Sequence, residues 1–212
     1  MSRSLVPPAP PSGPKRAVAI IGGGVSGALS AFELQRAGHA VTLIEAGDLG
    51  NGSSSRSAAC IRQQFGTPST VKGMIHCVRF YTGWQEIFSG SVRSPITQNG
   101  YLFLKGYSAD MAAVAKTVSM QRKAGLVEVK VLTPEQVSEQ FPYLDTVGIK
   151  GATWCPTDGF LQPDIVYRDS AAAAERLGAR IVRNAEVVGV VFRNGKPVAV
   201  QTVDGRTFDA DL

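Results

Sequence analysis

A short apolar run, Ala17–Ile21, leads straight into Gly22-Gly23-Gly24-Val25-Ser26-Gly27, and this junction constrains the chain more than any other feature. A continuous apolar run between turn signals suits a strand buried on both faces, as in a parallel sheet. The glycines of a GxGxxG pattern fall on Gly22, Gly24 and Gly27. A helical stretch over 28–37 follows, stopped by Gly38, and 41–44 reads as a second strand closed by Glu45. Gly22 permits the tight turn, Gly24 lets backbone approach a pyrophosphate, and Gly27 lets the helix sit close to the strand. The helix N-terminus offers free N–H groups and about half a positive charge to phosphates, and Val25 and Ser26, in the turn before it, are expected to contact the cofactor. Glu45 can accept hydrogen bonds from both ribose hydroxyls, and its charge disfavours a 2′-phosphate. Strand, glycine turn, helix, strand and acid in this order predict a dinucleotide-binding βαβ unit.

Composition narrows the remaining classes. The 212 residues suffice for one large domain or two small ones, and 44% hydrophobic with 18% charged residues is ordinary for a globular protein. No apolar run reaches transmembrane length, so no membrane span is expected. The net charge of +5 comes without a basic run, which argues against nucleic acid and suits an anionic cofactor. Cys60, Cys77 and Cys155 are far apart and lack CxxC spacing, and there are only two histidines. No disulfide framework and no metal site is expected. Residues 1–16 contain five prolines and read as a disordered tail.

The segment after Glu45 decides between dinucleotides. It runs Ser53-Ser54-Ser55-Arg56-Ser57-Ala58-Ala59-Cys60-Ile61-Arg62-Gln63-Gln64-Phe65-Gly66. Small hydroxyls and an arginine suit a second pyrophosphate contact, whereas an NAD unit more often proceeds to another helix and strand. Together with the first motif, this stretch resembles the D-amino-acid oxidase and sarcosine oxidase superfamily. Residues 151–163 (GATWCPTDGFLQP) and 184–212 resemble later parts of the same family. The resemblance implies an α/β, Rossmann-like FAD-binding fold of glutathione-reductase type with part of an α+β substrate domain. It places Ser54, Ser55 and Arg56 beside the FAD pyrophosphate and residues 57–61 (Ser57, Ala58, Cys60 and Ile61 among them) along the flavin ring. Val187 becomes a backbone contact to adenine. Arg62 resembles an arginine that grips the substrate carboxylate, a suitable task for a bidentate guanidinium; a phosphate contact or surface ion pair is the alternative. Where some relatives carry a histidine bonded covalently to FAD, this chain has Ser57, so the FAD is expected to be non-covalent.

Further along, 71–88 carries apolar residues at helical spacing and reads as one amphipathic helix. Thr133-Pro134-Glu135-Gln136 is a capping-box helix start. Asn194-Gly195 and Asp204-Gly205 are hairpin turns within a meander of strands over 186–192, 197–203 and 207–212. The expected division is a tail at 1–16, an FAD-binding unit with flavin loop at 17–90, a partial substrate domain at 91–150, and a return to the FAD domain at 151–212. By resemblance the family continues for about as long again beyond Leu212, so the C-terminal half is expected to be missing. The expected function is oxidation of an amine or amino acid (sarcosine, glycine or D-amino-acid-like) to an imine in the cytoplasm or a mitochondrion. A second chain supplying the missing half is a candidate partner. An NAD-dependent dehydrogenase and an inactive partner-binding fragment are the alternatives.

Overall fold

A computed structural model of the chain describes residues 13–91 and 93–211. The elements run β1 (Ala17–Ile21), α1 (Val25–Arg36), β2 (Ala40–Ile44), β3 (Cys60–Ile61), α2 (Pro68–Thr82), α3 (Trp84–Ile87), β4 (Ile96–Thr97) and β5 (Tyr101–Gly106). They continue with α4 (Met111–Lys123), β6 (Lys130–Leu132), α5 (Pro134–Gln140), β7 (Ile149–Cys155) and β8 (Gly159–Leu161). Last come α6 (Pro163–Arg176), β9 (Arg180–Val182), β10 (Val187–Arg193), β11 (Lys196–Thr202) and β12 (Thr207–Asp209). The expected tail lies outside the described residues up to 12, and 13–16 have no helix or strand. No helix among the described residues is long and apolar enough to cross a membrane.

The chain forms two compact units. The first takes the described residues up to Ala59, Trp84–Pro95, and those from Gln162 on. Its parallel sheet has the order β1-β2-β9, with Val18 facing Val41 and Leu43 facing Ile181. Helix α1 packs on α6 through small residues: Ala28, Ala31, Ala171 and Ala174 are all buried. The antiparallel meander β10-β11-β12 joins the same core, where Ile44, Val182, Ala185, Val200 and Phe208 cluster with Ala19 and Val187 against them. Asn194 and Gly195 both have positive φ, as a two-residue hairpin turn demands. Beyond β12 the chain reaches the start of β1, where Asp211 N–H donates to the Ala17 carbonyl at 2.7 Å.

The second unit comprises residues 60–83 and 96–161. Its main sheet is antiparallel, β5-β7-β6, with Leu102 opposite Trp154 and Val131 opposite Thr153. One core joins Val71 of α2 to Val118 of α4, with Leu126, Val129 and Cys155. A second sets Val137 of α5 against Leu132 and Ala152. A small sheet, β3-β8-β4, lies beside them in the same unit.

Several expectations change. Helix α1 begins at Val25 rather than residue 28, so Gly27 is inside it. The helix expected over 71–88 is two, with Gly83 capping α2. The two pieces belong to different units: Trp84 and Phe88 are buried in the first, where Trp84 Nε1 donates to Asp169 at 2.8 Å, Trp84 packs on Phe88 and Phe88 on Phe32. By contacts, residues 60–83 and 151–161 group with the second unit and 84–95 with the first, whereas the sequence division put 60–90 and 151–161 in FAD-binding segments and 91–95 in the substrate domain. The final strand ends at Asp209 rather than running to residue 212, which itself lies outside the described residues. The Thr133 capping box forms in full, with Gln136 N–H on Thr133 Oγ1 and Thr133 N–H on Gln136 Oε1.

Candidate functional site

In the first unit the glycine turn is held from three sides. Gly22 N–H donates to the Ile44 carbonyl at 2.8 Å, and its φ of 99° is the left-handed conformation that side chains resist. A Cβ on Gly22 would meet nothing within 4 Å, so the turn borders open space. A Cβ on Gly27 would lie 1.9 Å from the Gly22 carbonyl oxygen, so only glycine lets the helix start against the end of β1. Gly24, expected to leave room for a pyrophosphate, also leaves room for Ser54, whose Oγ would be 2.8 Å from an added Cβ. Ser54 stands in a single 3₁₀ turn, Ser53–Arg56, and accepts from Val25 N–H at 3.1 Å.

Helix α1 has no acidic residue in its first turn, and its cap, Gly24, brings no side-chain oxygen. Ser26 is exposed there. Ser54 Oγ meets Val25 N–H at this end and the first turn of α1 carries no acidic residue of its own, while the Glu45 carboxylate reaches the N–H of Gly23, just before the cap. Glu45 is engaged by backbone: Oε2 accepts from Gly23 N–H at 2.7 Å and Oε1 from Gly47 N–H at 2.9 Å. Each carboxylate oxygen keeps further acceptor capacity, so the ribose role remains open to it. The Glu45 backbone is tied to Val182 and Ala185, and Val187 packs on the core that contains Ile44. Ser55, Arg56, Ser57 and Ala58 are exposed, and Ser57 Oγ accepts from Ala59 N–H at 2.9 Å. An open left-handed turn, a helix whose first turn carries no acidic residue and an acid at the end of the second strand fit the adenosine diphosphate half of a dinucleotide.

Cys60, Ile61 and Arg62 lie in the second unit, so the flavin loop expected over 57–61 straddles the division. Cys60 is exposed and Ile61 buried. Arg62 follows β3 and sits between two rings, its guanidinium carbon 4.8 Å from the Phe65 centroid and 5.3 Å from that of Phe103. The next residues are pinned by Asp158, a carboxylate with no exposed surface. Its Oδ1 accepts from Gln63 N–H at 2.7 Å and Gln63 Nε2 at 3.1 Å, and its Oδ2 from Gln64 Nε2 at 3.1 Å. Burial pushes the Asp158 carboxyl above its usual range, while the hydrogen bonds from Gln64 and Gln63 pull the other way. Cys155, beside the same turn, is pushed up to about 11 by burial.

Arg62 opens onto a cavity of about 400 Å³ whose wall includes Gln64, Phe103, Lys105, Gln121 and Thr153. Gln121 Nε2 donates to the Phe65 carbonyl and Gln64 Nε2 to that of Tyr101, which fixes both amides. Their oxygens are buried without a partner, each an acceptor awaiting a donor. Of the residues around this cavity the sequence had singled out Arg62, and it had not singled out Asp158, Lys105, Gln121 or Phe103. Asp158 was in view within the TDGF stretch, but nothing in its spacing announces a clamp on residues 95 positions away.

The family description FAD dependent oxidoreductase matches residues 17–212. The chain is 26% identical to sarcosine oxidase subunit beta of Rhizobium meliloti (strain 1021) over 89% of its own length and 46% of the relative's. Among solved structures it is similar to L-proline dehydrogenase from P. horikoshii, with a TM-score of 0.80, 32% identity and coverage of 92% of this chain and 50% of that one. It is also similar to glycine oxidase from Geobacillus kaustophilus, with a TM-score of 0.78, 25% identity and coverage of 93% and 54%. The chain therefore spans about half the length of these proteins.

Proposed function

The chain belongs to the FAD dependent oxidoreductase family, and from that premise we propose that its first unit holds the adenosine diphosphate half of FAD while its second grips the carboxylate of an amine or amino-acid substrate. The observation that carries this reading is the open, left-handed turn at Gly22 leading into α1, whose first turn carries no acidic residue, with Glu45 at the end of the second strand bonded to Gly23 N–H. Free N–H groups and the helix dipole there suit a pyrophosphate. Gly24, Val25, Ser26 and Gly27 form its backbone cradle, with Ser54, Ser55 and Arg56 as neighbours. Glu45 takes the ribose and Val187 the adenine. Ser57, Ala58, Cys60 and Ile61 border the flavin, and with serine at position 57 the attachment is non-covalent.

A bound flavin would supply the acceptor for a hydride equivalent from the carbon beside the substrate nitrogen, and the resulting imine would be hydrolysed by water. This chain's residues bind and orient. Arg62, its plane fixed by Phe65 and Phe103, presents its N–H edge to a carboxylate. The names of the relatives support a substrate of the sarcosine, glycine or proline kind, and the name of the subunit beta relative supports work alongside a further polypeptide. A visible spectrum of the purified chain with FAD, taken before and after denaturation, tests the cofactor assignment. Flavin bands that stay with the folded protein and pass into the filtrate on denaturation are the expected result. A colourless protein that takes up no added FAD would sink it.

A further inference from the structure

Resting on the reading of Arg62 as a carboxylate grip, we propose that the cavity beside it takes a dianionic substrate, an amino acid with a second carboxylate, and that Lys105 is the second anchor. Phe103 and Lys105 are two apart on β5 and so share a face of the strand. Lys105 Nζ lies 5.5 Å from the Phe103 centroid and the Arg62 guanidinium carbon 5.3 Å from it, which gathers both cationic heads around one ring. Both side chains line the same cavity, and no aspartate or glutamate does. The two described ion pairs, Arg36 with Glu33 and Arg206 with Asp204, lie elsewhere. Both cations are half-buried, where like charges repel more strongly than in water. Such a pair without a counter-charge is electrostatically incomplete, and two carboxylates complete it. The aromatic faces hold the cations by their apolar sides and leave the hydrogen-bonding edges free. A substrate with one carboxylate would satisfy Arg62 and leave Lys105 unpaired.

The test is calorimetric titration of the 212-residue chain with sarcosine, iminodiacetate and N-methylglutamate, which share an amine and a carboxylate and differ in the second carboxylate. The better of the two dianions is expected to bind about tenfold or more tighter than sarcosine, the worth of one added charge-assisted contact. Its affinity should also fall more steeply with salt. Lys105→Met should remove that preference and leave sarcosine within about twofold, Lys105→Arg should keep it, and Arg62→Met should weaken all three ligands. Equal affinity for all three, or a preference that survives Lys105→Met, would overturn the dianion proposal and leave the carboxylate grip standing. No response to any of the three would remove the grip itself, and with it this proposal.

Discussion

Asp158 shows how much one side chain can organise without touching a ligand. With no exposed surface, it accepts three hydrogen bonds from Gln63 and Gln64, the residues directly after Arg62. A buried charge is tolerated only with such partners. Because burial raises its folded-state pKa, the sign of its pH effect is fixed. Its contribution to stability is fully present below the ordinary carboxylate value of ~3.9 and is lost as pH rises through the folded-state value. Asp158→Asn stays neutral throughout. The wild type should therefore gain stability relative to this variant as pH falls through that window, measured by urea midpoints at several pH values. A constant difference between the two would mean that the Asp158 pKa is the same in the folded and unfolded chain, so that burial does not raise it. Asp204, held low by Arg206, changes in the opposite sense, but it is common to both proteins and drops out of the comparison.

At the scale of elements, β1, the glycine turn and α1 act as one piece, and two glycines in it are required for different reasons. Gly27→Ala drives a methyl group against the backbone oxygen of Gly22, which has no rotamer to yield. It should cost about 2–3 kcal/mol or more, as overpacking does. Gly22→Ala meets open space and suffers only from its left-handed backbone, about 1–2 kcal/mol. Denaturation midpoints of the two variants should rank in that order, and the reverse ranking would contradict this packing. The whole βαβ start, the capping box at Thr133 and the turn at Asn194-Gly195 were legible in the sequence, because each is specified by residues a few positions apart. Arg62 was singled out only through family likeness. What could not be read depends on distant partners. Strand β9 is three residues long and earns its place by pairing with β2. The break at Gly83 was hidden because apolar spacing continues through it, and only the partners of Trp84 show that the stripe serves two cores.

At the scale of the molecule, the chain passes between its two units at residues 59–60, 83–84, 95–96 and 161–162. Neither unit is a continuous stretch. A fragment spanning 60–161 would contain the second unit together with 84–95, a segment whose partners Phe32 and Asp169 would be absent. Trp84 is fully buried in the whole chain, so its emission should shift to the red in that fragment. Unchanged emission would show that 84–95 finds its packing locally. The same threading sets a timetable during synthesis. Strands β1 and β2 leave the ribosome early, yet β9, which covers the far edge of β2, and α6, which covers α1, are made more than a hundred residues later. At ordinary elongation rates that interval is on the order of ten seconds. Throughout it the nascent nucleotide-binding half displays an apolar strand edge and a bare helix face, the surfaces that chaperones hold and that aggregation exploits.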